Sequence, residues 1–365
     1  MHIYEYLFAG VIIIALLLGS TVMVTTLSSP ASNASDKDLL KVTAEKIMTQ
    51  MLLDSGYPYD WGSANTPQQD LKVFGLAKYG QTSRQAYELD PDKVMRLESS
   101  IDGSVPPSLA VSLLNLANEY GAAEYGFTLQ FNEIIHISFT PPQIESADTY
   151  TITVTSDYAL PLIGAKVSAA LYYIDDTQTP PKIGHIVTST PHPVTGYDGS
   201  CTFTFGTSIG SPAKVLAATV DYYGAHAAKL YQITSGPTAT LFQNKLIPNP
   251  SEPYDIHSDA DSREIILVEN DQGFETNDFA VRNIGTPTSF LLRSPPESSA
   301  VAVLAISGSS NLLLASRDFS QITYQTINFQ DPNVRSAGFA YSLERTVLIG
   351  GSTYTATLYF WRMSS

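Results

Sequence analysis

Cysteine is nearly absent from this chain, since Cys201 is the only one among 365 residues. A disulfide framework is therefore excluded, and so is a zinc or iron–sulfur site built from several cysteines. Cys201 alternates with Phe203 and Phe205 in a predicted strand. We interpret Cys201 as a small buried hydrophobic side chain, with a reactive thiol as the alternative.

Charge is also scarce, and basic charge is the scarcer kind. Charged residues make up 15% of the chain, with 20 Lys and Arg against 35 Asp and Glu. The resulting net charge of −15 argues against a nucleic-acid partner, because such binding depends on neutralising phosphates with basic side chains. A hydrophobic fraction of 44% excludes disorder as the dominant state. The many Tyr, Thr and Pro residues favour strands and turns over helices.

Several motifs of common enzyme classes are missing as well. The chain contains no H-E-x-x-H, no P-loop and no dinucleotide-binding fingerprint. We therefore expect that the protein is not an enzyme and that it binds no cofactor. His185 and His192 lie on either side of Pro191 in a predicted loop. We interpret them as solvated loop residues, with a shared metal site as the alternative.

The densest polar cluster lies between residues 255 and 264. Alternating carboxylates in a turn resemble a calcium loop, because calcium takes oxygen ligands from a flexible segment. The candidate ligands are Asp255, Asp259, Asp261 and Glu264. The glycine of an EF-hand is missing and the glutamate stands in the wrong position, so we interpret the segment as a solvated acidic loop.

One long hydrophobic run is present, at residues 7–27, and it contains no charged residue. A helix of this length rises about 30 Å, which is enough to cross the hydrocarbon core of a membrane. We predict a retained single-pass transmembrane anchor. A cleaved signal peptide is the alternative, but the six preceding residues contain no Lys or Arg, and the run is longer than the apolar core of a signal.

The charges beside this run leave its orientation open. Lys37, Lys41 and Lys46 follow the run, and by the positive-inside rule they would hold the bulk of the chain in the cytoplasm. The acidic, Tyr- and Thr-rich remainder is instead typical of exported adhesive modules. A glycosylation sequon at Asn33 lies just beyond the predicted membrane span. We favour a cell-membrane protein with the bulk of the chain outside.

The periodicity of the remaining chain predicts a mainly β protein. An N-terminal transmembrane and amphipathic helix is followed by a small α/β collar and two antiparallel β-sandwich-like domains. The predicted boundaries are an anchor and hinge at 1–35, a stalk helix at 36–56, the small α/β domain at 57–142, a β-sandwich at 143–236, a Pro-rich linker at 237–253 and a C-terminal β-rich domain at 254–365. The long apolar strand near the C-terminus, residues 353–361, is expected to lie inside a sheet.

The stalk helix has two interpretations that its sequence does not separate. Its apolar residues recur at helical spacing, while Lys41, Glu45 and Gln50 take another face. The apolar face packs either on the domain that follows it or on copies of itself. The apolar residues are Leu40, Ala44, Ile47, Met48 and Met51.

Several of these features together resemble a type IV pilin. An apolar helix with Glu5 ahead of it, Pro30 breaking it and an amphipathic continuation resembles the N-terminus of such pilins. Residues 54–62 and 90–94 resemble segments of archaeal pilin-like membrane proteins. Within the predicted sandwich, the pieces that resemble the immunoglobulin-like modules of prokaryotic surface proteins are residues 162–167 and 198–203.

The resemblance implies a role as a cell-surface structural or adhesive subunit. In pilins the N-terminal helix forms the filament core, and an acidic residue near its start meets the N-terminus of a neighbour, which is a role for Glu5 here. The implied partners are the membrane, further copies of the chain and other surface proteins. The alternative function is a membrane-tethered extracellular enzyme or ligand-binding protein with its site in the C-terminal β domain.

Overall fold

The computed structural model describes most of the chain after residue 36. The described residues are 37–62, 66–80, 87–99, 101, 103–140, 147–175, 182–187, 193–207, 214–233, 238–242, 245–248, 263–270, 273–280, 290–291, 301–307, 311–316, 319, 322–326 and 340–363. No helix among them is long and apolar enough to span a membrane. The predicted anchor and hinge at 1–35 lie outside the described residues.

Three α-helices and one short 3-10 helix at Gln68–Asp70 are described. Helix α1 covers residues 37–53, α2 covers Pro91–Met95 and α3 covers Pro107–Leu113. The predicted start of α2 is confirmed, because the Asp90 side chain accepts hydrogen bonds from the backbone N–H groups of Asp92 and Lys93. Pro91 occupies the first helical position, where a missing N–H costs nothing.

The prediction of a mainly β protein is confirmed by nineteen described strands. In chain order they are β1 (Glu88–Leu89), β2 (Tyr125–Glu133), β3 (Ile135–Thr140), β4 (Ala147–Ser156), β5 (Lys166–Asp175), β6 (Lys182–Val187), β7 (Ser200–Thr207), β8 (Lys214–Tyr222), β9 (Ala225–Gln232), β10 (Thr238–Phe242), β11 (Lys245–Pro248), β12 (Arg263–Asn270), β13 (Gly273–Ala280), β14 (Phe290–Leu291), β15 (Val301–Ser307), β16 (Asn311–Ser316), β17 (Thr323–Gln325), β18 (Ala340–Ile349) and β19 (Ser352–Arg362).

The first and the last described strands lie in one five-stranded sheet, in the order β1-β18-β19-β2-β17. Strand β19 lies at its centre, antiparallel to β18 and to β2, which confirms that the last strand is tied into a sheet. Its nearly continuous burial fits a strand that is covered on both faces. The sequence prediction placed β17, β18 and β19 in the C-terminal domain at 254–365. The structure instead places these three strands in one sheet with β1 and β2.

Helix α1 shares a hydrophobic core with this sheet and with α2 and α3. We call α1–α3 and the five-stranded sheet the stalk layer. Its core takes side chains from α1, from the segment after α1, from α2 and from strands β2 and β19. These include Met48, Met51, Trp61, Phe74, Val94, Phe127, Phe131 and Phe360.

Two antiparallel sheets between residues 135 and 233 share one core and form a sandwich; its first strand, β3, lies before the predicted start at residue 143. One sheet has the order β3-β4-β7 and the other the order β6-β5-β8-β9. The core between them includes Ile152, Val154, Val167, Phe203 and Leu216. Cys201 lies in this core and is buried, which confirms its interpretation as a small hydrophobic side chain. Burial raises the pKa of the Cys201 thiol to about 11.

The remaining strands form a seven-stranded sheet in the order β13-β12-β15-β16-β10-β11-β14. Strands β10 and β11 form an antiparallel hairpin within the segment predicted as a linker, residues 237–253. Pro248 is the last residue of β11, a position where the missing N–H interrupts little of the ladder. The proline content of this segment therefore marks strand ends as well as a connection.

Candidate functional site

Most residues singled out from the sequence as site candidates lie outside the described residues. These are Glu5, Asn33, His192, Asp255, Asp259 and Asp261. Glu264 lies in β12, and His185 lies in β6. In the part of the chain that the structure describes, no group of three or more His, Cys, Asp and Glu could hold a metal ion.

The inner face of α1 is the face that the stalk layer covers. Six of its side chains are buried, and they repeat at the spacing expected for one side of a helix. They are Leu40, Ala44, Ile47, Met48, Met51 and Leu52. The first of the two interpretations of the stalk helix, packing on its own domain, is therefore correct for this face.

The outer face of α1 carries a second set of aliphatic side chains. Leu39, Val42 and Leu53 are 54%, 61% and 51% exposed. With the exposed Lys46 and Thr49 they stand at alternating intervals of three and four residues. That interval is the spacing of the contact seam of a coiled coil. We call these five residues the outer stripe.

Sequence reasoning missed the outer stripe, although its signal was present. The apolar residues of the buried face dominate the periodicity, so the rest of the helix surface was represented only by its polar residues Lys41, Glu45 and Gln50. Single exposed aliphatic residues are ordinary on protein surfaces. Three of them on one seam, with Lys46 and Thr49 at the positions between, are a candidate contact surface.

The C-terminal end of α1 is held firmly by the segment that follows it. The backbone N–H of Leu76 donates to the Met51 carbonyl at 2.8 Å, and that of Ala77 donates to the Asp54 carbonyl at 3.0 Å. At Gly75 a Cβ atom would lie 2.2 Å from the Asp54 carbonyl oxygen, so only glycine allows this approach. The outer stripe is therefore presented by a helix that is fixed to its layer.

A fully buried lysine of α2 fastens the same segment. The Lys93 Nζ donates to the carbonyls of Ser55 at 2.9 Å and of Ala77 at 3.0 Å. It also lies 3.7 Å from a carboxylate oxygen of Asp90. Burial lowers the pKa of Lys93, since removal from water disfavours its charged form.

Arg96 makes a second set of such contacts one turn further on. Its guanidinium donates to the carbonyls of Gly103 at 2.8 Å and Thr66 at 3.1 Å, and also to that of Trp61. It lies 5.7 Å from the centre of the Trp61 ring, whose Nε1 donates to the Gly75 carbonyl at 2.9 Å. Burial lowers the pKa of Arg96. Segments 54–62 and 90–94 are thus joined by the hydrogen bond from Lys93 to the Ser55 carbonyl.

Three partly exposed tyrosines follow α1 on the surface of the stalk layer. The rings of Tyr59 and Tyr79 stack with centroids 4.0 Å apart, and Tyr57 meets Tyr59 edge-on at 5.5 Å. The backbone N–H of Tyr57 donates to the Val73 carbonyl, which fixes the position of the group. This aromatic cluster continues the exposed apolar character of the chain beyond Leu53.

The stalk layer and the sandwich meet at a polar seam where only Ile134 separates β2 from β3. Lys229 of β9 lies 3.8 Å from Glu133 of β2, and the backbone N–H of His226 donates to the Thr353 hydroxyl at 3.0 Å. A cleft at this seam has room for about one water molecule, with a volume of about 10 Å³. The seam is therefore a structural contact rather than a ligand pocket.

Comparison with known proteins yields no informative relative. No protein-family model and no curated protein match the chain. One solved structure, a structural-genomics target named SoR45, aligns with 29% of this chain and 86% of its own at 14% identity, with a TM-score of 0.17. A DUF4466 family protein from Parabacteroides merdae aligns with 64% of this chain and 100% of its own at 8% identity, with a TM-score of 0.15. Both scores are too low to carry an argument.

Proposed function

We propose that the chain is a membrane-anchored, pilin-like subunit of the cell surface, with a structural or adhesive role, whose copies associate through the N-terminal helix. The outer stripe is the observation that carries this proposal. A helix that only joined an anchor to its own domain would need one apolar face, and that face is already buried. The second apolar face has the spacing with which helices pack against each other.

The chemistry of the outer stripe fits a specific contact of modest strength. Full burial of a Leu or Val side chain is worth about 1.5 to 3 kcal/mol, and these three are already half covered. Their contribution is therefore a few kcal/mol, which suffices when the apolar run at 7–27 concentrates the copies in a membrane. Lys46 at the middle of the stripe would set the register, as a polar residue in such a seam commonly does.

The predicted assembly residue Glu5 has a defined role in this proposal. A carboxylate that leaves water for a core of packed helices is costly unless a positive group meets it. In the proposed assembly, the terminal ammonium of a neighbouring copy supplies that group. The Glu5 carboxylate and the outer stripe would then fix two ends of the same helix–helix contact.

The sandwich supports the adhesive part of the proposal. Its strand order, with three strands facing four and connections that cross between the sheets, is compatible with an immunoglobulin-like module. Tyr158, Tyr197 and Tyr223 lie in the turns after β4, before β7 and after β8, and all three are strongly exposed. Rigid aromatic side chains on short turns are effective contacts for a partner surface.

Chemical crosslinking of membranes that bear the full chain tests the proposal. We expect a ladder of crosslinked copies for the wild type and a several-fold weaker ladder for Leu39→Asn/Val42→Asn, since each asparagine replaces an aliphatic contact with a polar one. The matched control, Lys41→Gln/Glu45→Gln, lies on the same helix outside the outer stripe and should give the wild-type ladder. Equal ladders in all three proteins, or no ladder in the wild type, would contradict the proposal.

A further inference from the structure

The sandwich has four edge strands among those described, and they differ in their surroundings. Strands β3 and β9 lie beside each other and close one side of the sandwich. Strand β7 pairs with β4 along one edge, and no other described strand pairs with it. An edge strand offers its remaining backbone N–H and C=O groups to any strand that approaches it.

Strand β7 lacks the side chains that most often protect an edge strand. Natural edges carry charged side chains or proline, which prevent pairing with another chain. The other three edges have such residues, namely His136 in β3, Lys182 in β6 and Lys229 in β9. The sequence of β7, S-C-T-F-T-F-G-T, contains no Lys, Arg, His, Asp, Glu or Pro.

The two faces of β7 are equally free of charge. Cys201, Phe203 and Phe205 point into the sandwich core. Thr202 and Thr204 are exposed on the opposite face, and the Thr204 hydroxyl lies 3.2 Å from that of Thr149 on β4. Between Ser200 and Thr204 the pairing with β4 is regular, and the register shifts only beyond Thr204. Residues 200–204 of β7 are thus a regularly paired, neutral edge.

We propose that β7 of one copy pairs antiparallel with β7 of a second copy, which joins two three-stranded sheets into one six-stranded sheet. A second copy is the favoured occupant for reasons of charge and symmetry. The net charge of −15 opposes contact between most surfaces of two copies, and a neutral edge avoids that repulsion. An antiparallel pair of identical strands is self-complementary, so one contact satisfies both copies by a two-fold axis.

This contact is separate from the one proposed for the stalk helix, because it uses the sandwich alone. The outer hydroxyl rows of the two copies would lie side by side at the usual strand separation of about 4.8 Å. Cross-strand pairs of threonine are favourable at that distance, whereas like charges placed directly opposite each other are unfavourable. A lysine introduced on the outer face of β7 should therefore weaken the contact without entering the core.

Sedimentation velocity of the full chain in detergent tests the inference. All proteins carry Leu39→Asn/Val42→Asn, so that association through the outer stripe is weakened equally in each of them. We expect a dimer for this background and a dimer dissociation constant raised about tenfold or more by Thr202→Lys/Thr204→Lys. The matched control, Thr151→Lys/Thr153→Lys, changes the same sheet face on the central strand β4 and should leave the dimer intact.

Three results would overturn the inference. The first is a background protein that stays monomeric at every concentration. The second is a dimer that Thr202→Lys/Thr204→Lys leaves unchanged, and the third is equal weakening by the control. Unchanged thermal unfolding of both lysine variants shows that a loss of dimer reflects the edge and not the fold. Because the outer stripe carries the same substitutions in every protein, the comparison of β7 and β4 variants reports on the edge alone, and failure here is distinguishable from failure of the proposed function.

Discussion

Replacing Phe360 with alanine is expected to lower the free energy of unfolding of the stalk layer by about 4 kcal/mol. Phe360 is fully buried in β19, opposite Phe127 of β2, and its ring lies 5.3 Å from that of Tyr125. Removing the ring leaves a cavity in the centre of the five-stranded sheet. The measurement is urea unfolding followed by tryptophan fluorescence, because both tryptophans of the chain, Trp61 and Trp361, are buried in this layer.

The neighbouring Tyr359 provides the matched control for this experiment. Its side chain points to the other face of the same strand and is 40% exposed. Tyr359→Ala should therefore cost less than about 1 kcal/mol in the same measurement. If the two variants unfold at the same urea concentration, β19 does not lie at the centre of this sheet.

Replacing Lys93 with methionine is expected to destabilise the stalk layer by about 3 kcal/mol. Methionine keeps much of the aliphatic stem but leaves the partly buried carbonyls of Ser55 and Ala77 without their shared donor. A buried polar group that loses its hydrogen bond retains the full cost of its removal from water. Unfolding monitored by tryptophan fluorescence again measures the effect, since Trp61 lies in the segment that Lys93 fastens.

The pH dependence of this loss has a defined sign. Because desolvation lowers the pKa of Lys93, the folded chain releases this proton at a lower pH than the unfolded chain, for which 10.5 is the ordinary value. Within the window between the two values the unfolded state binds more protons, so the Lys93 contribution to stability rises with pH. The difference between wild type and Lys93→Met should therefore increase towards pH 10.5. Lys72→Met, at an exposed position, is the control, and an equal effect there would contradict the role of Lys93.

The sequence predicted individual strands better than it predicted their partners. The apolar alternation of residues 353–361 indicates a buried strand, but nothing in the run itself says that its neighbour is β2, more than two hundred residues earlier in the chain. Pairing of this kind depends on the global fold rather than on local pattern. For the same reason, the assignment of 254–365 to one domain separated β18 and β19 from the sheet that they complete.

In the candidate site, too, only the features that depend on local sequence spacing could be predicted. The buried face of α1 followed from its 3.6-residue period, and the outer stripe has a spacing that is visible in the sequence. The roles of Lys93 and Arg96 were not predictable, because they depend on carbonyl groups that the fold brings together, most of them from the segment between Ser55 and Ala77. A lysine next to Asp90 in a charged helix start would ordinarily be solvated.

Electron microscopy of the full chain, purified from membranes and examined after removal of detergent, tests the central claim most directly. The claim is that copies associate through the N-terminal helix by way of the outer stripe. The account predicts ordered polymers for the wild type and for Lys41→Gln/Glu45→Gln, and their loss in Leu39→Asn/Val42→Asn. Separate single-copy particles in the wild type, or polymers that persist unchanged in the stripe variant, would contradict it.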